Sequence, residues 1–126
     1  MLISDNKKIR DIQVEFHQQF PHLKLEFYSQ HHERGEGSSV IFKLGDQKTI
    51  GEVRTRHEEG DFQIDGTLSV EALENLFWEK FGLNVQVFRK SGAMWMQTTS
   101  TDQWTLYEQN RKGGASEEAF IEKYGS

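Results

Sequence analysis

A polar and aromatic segment near the C-terminus, SGAMWMQTTSTDQW, holds the residues best suited to contacting a small ligand. In it, Thr98 and Asp102 lie between Trp95 and Trp104. Ligand pockets combine an apolar wall with a few hydrogen-bonding groups. The segment therefore predicts a small-molecule pocket around residues 95–102, with Thr98 and Asp102 as polar contacts. The structural alternative is that the threonines belong to a strand and that Asp102 caps or turns into the next helix.

Two short segments combine histidine with acidic residues: residues 31–33 (HHE) and residues 57–59 (HEE). Imidazole and carboxylate groups can bind zinc. However, the spacing matches no standard metal motif, and adjacent histidines of an extended segment point in opposite directions. Both segments are expected to be solvated turns. We predict no metal site and no cofactor.

Catalytic signatures are missing from the sequence. It contains no G-x-S-x-G elbow, no phosphate-binding G-x-x-x-x-G-K-[ST] and no G-x-G-x-x-G, and it has no cysteine. Acidic pairs such as Glu58 and Asp61 are expected by chance in a chain with 20 acidic residues. The sequence therefore favours a protein without catalytic activity, and the alternative is an enzyme that uses the pocket around residues 95–102.

Size and charge predict one soluble domain. The chain has 126 residues, a typical length for a single α+β domain spanning residues 1–126. The net charge of −5 opposes non-specific attraction to nucleic acid, so nucleic acid is not an expected partner. A membrane helix needs about 20 apolar residues, and no stretch approaches that length. The N-terminus lacks the apolar run of a secretory signal, so we expect a cytoplasmic location.

Two amphipathic helices are predicted about 60 residues apart, and each is followed by an alternating strand. The first unit contains Ile9, Ile12, Phe16 and Phe20, and then Leu23, Leu25 and Phe27. The second unit contains Val70, Leu73, Phe77 and Phe81, and then Leu83, Val85 and Val87. The matched order of helical and strand periods predicts a duplicated α-β unit.

Capping residues and helix breakers predict the element boundaries. The helices are expected over residues 5–20, capped by Ser4 or Asp5 and stopped by Pro21, and over residues 70–81, between Ser69 and Gly82. The other predicted strands are 40–44 and 49–56 around a Gly45-Asp46 turn, a short strand 62–65, and a hairpin of 84–89 and 93–98. The other predicted helices are a short one over 105–111, which Gly113-Gly114 ends, and a last one from Ser116.

These elements predict an α+β fold. An antiparallel sheet with both amphipathic helices on one face is the simplest way to bury both apolar stripes. The duplicated α-β-β units would form the sheet. The short C-terminal helices are one of two candidates for what lies on the opposite face.

Alternation places Tyr28 and Phe88 on that opposite face, together with Trp95 in one register of the last strand. One hypothesis is that residues 103–126 cover these rings, because large apolar patches are uncommon on the surfaces of monomers. The other is an open aromatic surface that binds a partner. We favour a protein–protein interaction or self-association module, including a possible homodimer, with Tyr28, Phe88, Trp95 and Trp104 as contact residues. The alternative is the small-molecule pocket described above.

Overall fold

The computed structural model describes residues 1–30 and 37–125. Within this part of the chain, the strands are β1 (Leu2–Ile3), β2 (Leu23–Tyr28), β3 (Gly60–Asp61), β4 (Asn84–Ser91) and β5 (Met94–Gln97). The helices are α1 (Ile9–Gln19), α2 (Val70–Phe81) and α3 (Leu106–Tyr124). Two antiparallel sheets form, one of β1 and β3 and one in the order β2-β4-β5. The predicted α+β class is confirmed.

Helix α2 has the bounds that its capping residues predict. The Ser69 hydroxyl accepts a hydrogen bond from the Ala72 N–H at 3.0 Å, which satisfies one donor of the first turn. At the other end, Gly82 has a φ angle of 67°, a conformation that glycine adopts at low cost. Its N–H donates to the Trp78 carbonyl at 3.0 Å and ends the helix.

Helix α1 begins later than predicted, at Ile9 instead of residue 5. The carboxylate of Asp5, a predicted cap, is bound by the guanidinium of Arg54 at 2.8 Å. The first turn is held by Asp11 instead, whose carboxylate accepts from the Lys8 N–H at 2.9 Å. The correction follows from a long-range ion pair that local capping rules do not contain.

The helix N-termini satisfy one another in pairs. The first N–H groups of a helix have no partner inside that helix. The residue that caps α1, Lys8, forms an antiparallel bridge with Thr49, and the caps of α2 and α3, Ser69 and Thr105, form another. The first helical N–H groups then donate across each pair: Ile9 to Lys48, Ile50 to Lys7, Val70 to Trp104 and Leu106 to Leu68, at 2.8–3.0 Å. One backbone donor at each of four helix starts is thereby satisfied by the neighbouring start.

The core lies between the helices and one face of the three-stranded sheet. The inward residues of β2 and β4 are those that the sequence predicts, and all are buried with the apolar stripes of α1 and α2. For example, the rings of Phe27 on β2 and Phe77 on α2 meet edge to face, with their centroids 6.2 Å apart. The prediction that both helices pack on one sheet face is correct.

The predicted strands 40–44 and 49–56 are wrong. The structure has short 3-10 helices at Val40–Phe42 and Gly51–Val53. Thr49 and Glu52 form a reciprocal cap: the Thr49 N–H donates to the Glu52 carboxylate at 3.1 Å, and the Glu52 N–H donates to the Thr49 hydroxyl at 3.3 Å. This cap starts a helical turn where alternation suggested a strand, and the duplication of an α-β-β unit is therefore not confirmed.

Two smaller corrections concern the strands around the helices. The predicted strand 62–65 is displaced toward the N-terminus, to Gly60–Asp61, where it pairs with β1. The second predicted hairpin is present: β4 and β5 join through Gly92, whose φ angle is 63°. Glycine at this first turn position suits a two-residue hairpin.

The C-terminal residues form one helix, whereas two short helices were predicted. The Thr105–Glu108 capping box that starts it is confirmed. The glycine pair does not end the helix but allows it to approach the sheet. A Cβ atom on Gly113 would lie 2.9 Å from the His22 carbonyl oxygen and 3.1 Å from Cγ of Arg89. Helix α3 therefore packs on the same sheet face as α1 and α2, through the buried Leu106, and not on the opposite face as predicted.

Ser38 covers part of the opposite face of the sheet. The Ser38 N–H donates to Oε1 of Gln97 at 3.0 Å, and Nε2 of Gln97 donates back to the Ser38 carbonyl at 2.7 Å. The Ser38 hydroxyl also contacts Oε1 of Gln86 at 3.4 Å. Among the described residues, no helix is long and apolar enough to cross a membrane.

We predict that Gly113→Ala lowers the free energy of unfolding by about 1–3 kcal/mol, because the new methyl group meets backbone at a distance that requires movement. This loss opposes the gain of about 1 kcal/mol that alanine brings to a helix interior. Urea unfolding followed by circular dichroism measures the difference. Gly114→Ala is the matched control, since its Cβ would meet the movable His22 ring. A Gly113→Ala variant more stable than the wild type would contradict this packing.

Candidate functional site

The candidate site begins at the exposed edge of β2. In the sheet order β2-β4-β5, β2 is an edge strand. Its outer side bridges Lys43 at Tyr28, while the carbonyls nearer its start have no strand beside them among the described residues. Helix α1 supplies donors to two of them: Nδ1 of His17 lies 2.8 Å from the Leu23 oxygen, and Nε2 of Gln13 lies 2.9 Å from the Leu25 oxygen. A carbonyl can only accept, so Nδ1 of His17 carries the proton. Helix α1 is therefore attached along this edge.

Because of this attachment, a second face of α1, distinct from its apolar stripe, also lies against the protein. The residues of this face recur at helical spacing, while the apolar stripe lies on another side of the helix. Together with the outer side of β2, they line a groove of about 740 Å³, which we call the Trp95 groove: Arg10, Gln13, Val14, His17, Gln18, Lys24, Leu25, Glu26, Asp46 and Trp95. Val14 lies in the middle of the helical wall and is 43% exposed, so an apolar side chain is accessible in the groove.

The indole of Trp95 is held in place by cations. Nζ of Lys24 lies 5.3 Å from the centre of the indole, and Nζ of Lys90 lies 5.0 Å from it. The His17 ring approaches the indole edge to face, with centroids 6.1 Å apart. Lys24 also lies 5.2 Å from the centre of the Phe88 ring. Cation–π contacts of this length stabilise a partly exposed ring by about 0.5–1 kcal/mol.

Charges in the Trp95 groove are divided between its two walls. On the sheet, Glu26 is held by Lys24 at 3.5 Å and by Lys43 at 3.6 Å, and it also accepts a hydrogen bond from Gln13. On the helix, Arg10 makes no ion pair with any carboxylate of the described residues. The helical wall therefore presents a positive charge that is available to a partner.

The six residues predicted as contacts do not form one surface. Phe88 and Trp95 are on the outer face of the sheet, beside the Trp95 groove. Tyr28 is on the same face but only 3% exposed, and burial together with the charge of Glu26 raises the pKa of Tyr28 to about 12. A hydroxyl so buried is not placed to contact a partner.

Thr98 and Asp102, the polar pair predicted for a pocket, lie at the end of β5 and next to the start of α2. The buried hydroxyl of Thr98 donates to the Val87 carbonyl at 3.0 Å, where β5 has ended and β4 would expose its edge. The backbone carbonyl of Asp102 accepts from the Glu71 N–H at 2.8 Å, in the first turn of α2. Trp104 is separate from Trp95, since it lies over Arg89 beside α3.

The histidine segments give no metal site among the described residues, where no group of three or more potential ligands occurs. His57 contacts the Asp5 carboxylate at 2.8 Å, beside the buried Arg54, which also donates to the Phe81 carbonyl at 3.0 Å. Residues 31–33 lie outside the described residues. The HEE segment therefore contributes to an ion-pair cluster that ties the N-terminal segment to the end of α2.

No protein-family model, curated protein or solved structure matches this chain. The function has to be inferred from the side chains themselves. The sequence analysis proposed Trp95 and Phe88 as contact residues but not Arg10, Gln13 and His17, which line the same groove as Trp95. The signal for the missed residues was present: residues 10, 13, 14, 17 and 18 have helical spacing.

We predict that the Asp5 cluster makes folding sensitive to acid. Desolvation acts to raise the pKa of Asp5, but hydrogen bonds and charges from Arg54 and His57 outweigh it and hold the pKa of this carboxyl below its usual range. A carboxyl whose pKa is lower in the folded state stabilises the fold at pH above the unfolded pKa, and this stabilisation is lost as the pH falls through the folded pKa. Stability should therefore decrease below about pH 4.5.

Asp5→Asn should be less stable than the wild type at neutral pH. Its stability should also decrease less than that of the wild type as the pH falls through this acidic range. Urea midpoints at pH 7 and at several values down to pH 3 measure the effect. Asp46→Asn serves as the control, because the Asp46 carboxylate contacts Gln47 and no cation of the described residues. If the two variants show the same pH dependence, the cluster has no such role.

Proposed function

We propose that this protein is a non-catalytic binding module that takes a segment of a partner protein into the Trp95 groove. The observation that carries the proposal is the half-buried Trp95, fixed by Lys24, Lys90 and His17 at the edge of a groove of about 740 Å³. Tryptophan is the residue type most enriched among residues that dominate binding energy. Because its position is already fixed, little rotamer freedom would be lost on binding.

The shape of the groove favours a polypeptide over a compact ligand. Its helical wall extends from Arg10 to Gln18, a distance of about 12 Å at the rise of an α-helix. Val14 gives this wall an exposed apolar centre, and Trp95 lines the same groove. An extended segment can place an apolar side chain between Val14 and Trp95 and continue along the helix.

Charge specifies one further feature of the partner. Glu26 is already neutralised by two lysines, whereas Arg10 and Asp46 both line the groove without an ion-pair partner among the described residues. An acidic side chain of the partner would therefore be attracted to Arg10 and repelled by Asp46, which places it at the Arg10 side of the apolar anchor. We therefore propose a partner segment that contains one large apolar residue and one aspartate or glutamate. The proposed contact surface includes Phe88 and Trp95 and omits Tyr28.

A peptide library displayed on phage tests this proposal with the full chain as bait. We expect a family of enriched peptides with an apolar anchor and an acidic residue. Calorimetry with a synthetic member of that family should show binding that Trp95→Ala weakens at least about tenfold, which is about 1.4 kcal/mol. Arg10→Gln should weaken binding less, and this loss should disappear at high salt.

Trp78→Ala is the matched control, because Trp78 is also partly exposed, at 38%, but lines a different cleft at the end of α2. It should change peptide affinity by less than about twofold. Failure to enrich any peptide, or equal binding by Trp95→Ala, would reject the groove as the binding site. If light scattering detects a wild-type dimer that Trp95→Ala dissociates, a second copy of this chain occupies the groove. That result would overturn the proposal of an external partner.

A further inference from the structure

The two edges of the three-stranded sheet differ in their backbone hydrogen bonds. On the β2 edge, three carbonyls that point away from the sheet each accept a hydrogen bond at 2.8–2.9 Å. The pairs are Leu23 with Nδ1 of His17, Leu25 with Nε2 of Gln13, and Phe27 with the N–H of Leu44. Helix α1 and the segment around Leu44 therefore occupy this edge.

The β5 edge has no such partners among the described residues. Backbone hydrogen bonds alternate in direction along an antiparallel strand. The Thr98 N–H donates to the Val87 carbonyl of β4 at 3.3 Å, so the backbone groups of the preceding Gln97 point away from β4, and so do those of Trp95. No described residue forms a hydrogen bond with these outward N–H and C=O groups.

Ser38 contacts β5 but does not use its edge. The N–H and the carbonyl of Ser38 bond to the side-chain amide of Gln97, at 3.0 and 2.7 Å, and the Ser38 hydroxyl contacts the side chain of Gln86 on β4. These bonds to outward-facing side chains place Ser38 over the outer face of the sheet. They leave the backbone groups at the β5 edge for another partner.

The chain around β5 also lacks the charges that usually protect an exposed edge. Proteins place lysine, other charged side chains or proline on edge strands, which prevents pairing with another chain. Residues 91–101, SGAMWMQTTST, contain no charged residue and no proline, and this is the longest uncharged run in a chain with 28% charged residues. An identical strand can therefore lie beside β5 without bringing like charges together.

We propose that β5 pairs with β5 of a second copy of this chain, antiparallel and around a two-fold axis. In this register Trp95 of each copy faces Gln97 of the other, and each facing pair exchanges both of its N–H···O bonds. The two sheets become one continuous sheet with a β2 strand at either end. Because the β2 edges are already occupied, no further copy adds to this sheet, and the pairing ends at a dimer. The contact is separate from the Trp95 groove, because it uses backbone groups.

The mass in solution is the first test. Strand β5 has only four residues, so the contact is small and the dimer should form in a concentration-dependent way. Sedimentation of the full chain over a range of concentrations should show a mass that rises from one chain toward two. A wild type that stays monomeric at its highest soluble concentration would overturn the proposal.

Gln97→Pro removes the outward N–H of this residue, and proline is tolerated on an edge strand where that group faces away from the sheet. It should raise the dissociation constant of the dimer at least about tenfold. Gln97→Ala is the matched control, since it loses the same contacts with Ser38 but keeps the N–H. Trp95→Ala also keeps the backbone groups. Both alanine variants should dimerise like the wild type, within about twofold.

Isotope-filtered NMR of mixed labelled and unlabelled wild-type chains locates the contact without a variant, so it decides the matter even if Gln97→Pro fails to fold. The proposed axis passes between the two copies of Met96, a facing pair without hydrogen bonds, whose Cα atoms would lie about 4.5 Å apart. We expect an intermolecular contact between their Hα protons. A dimer without this contact, an undiminished Gln97→Pro dimer, or a dimer that either alanine variant dissociates would contradict pairing at the β5 edge.

Discussion

The structure depends on the hydrogen bonding of strand edges in a sheet of only three strands. A strand with one neighbour leaves half of its backbone groups without a partner, and buried backbone groups must be satisfied. Here helix side chains take the place of missing strands. Gln13 and His17 of α1 hold the edge of β2, while Glu74 of α2 accepts from the Val87 N–H at 2.9 Å where β5 no longer covers β4. The helices are therefore bound to the sheet by polar contacts as well as by the apolar core.

The proposed groove is a consequence of this arrangement. A helix held only by its apolar stripe would leave its other side to solvent. Because α1 reaches the β2 edge, its polar side lies beside the outer face of the sheet, and Trp95 from the distant β5 extends to His17. The paired helix starts, such as Lys8 with Thr49, fix where α1 begins and therefore which residues line the groove.

Sequence reasoning succeeded where a local pattern determines the structure. The bounds of α2, the strand β2 and the Thr105–Glu108 cap follow from periodicity and capping, which act over a few residues. It failed where distant contacts decide. Gly113 was interpreted as a helix breaker because its proximity to the His22 carbonyl is not visible in the sequence. Trp95 could be proposed from its residue type, but the roles of Gln13 and His17 exist only once α1 lies on the β2 edge.

The tautomer of His17 tests the attachment of α1 most directly. Long-range ¹H–¹⁵N NMR of the neutral imidazole distinguishes which ring nitrogen carries the proton. A hydrogen bond to the Leu23 carbonyl requires the proton on Nδ1, so we predict that tautomer with a slowly exchanging Nδ1 proton. A neutral ring protonated on Nε2, with Nδ1 bare, would contradict the attachment of α1 to the strand and with it the origin of the Trp95 groove.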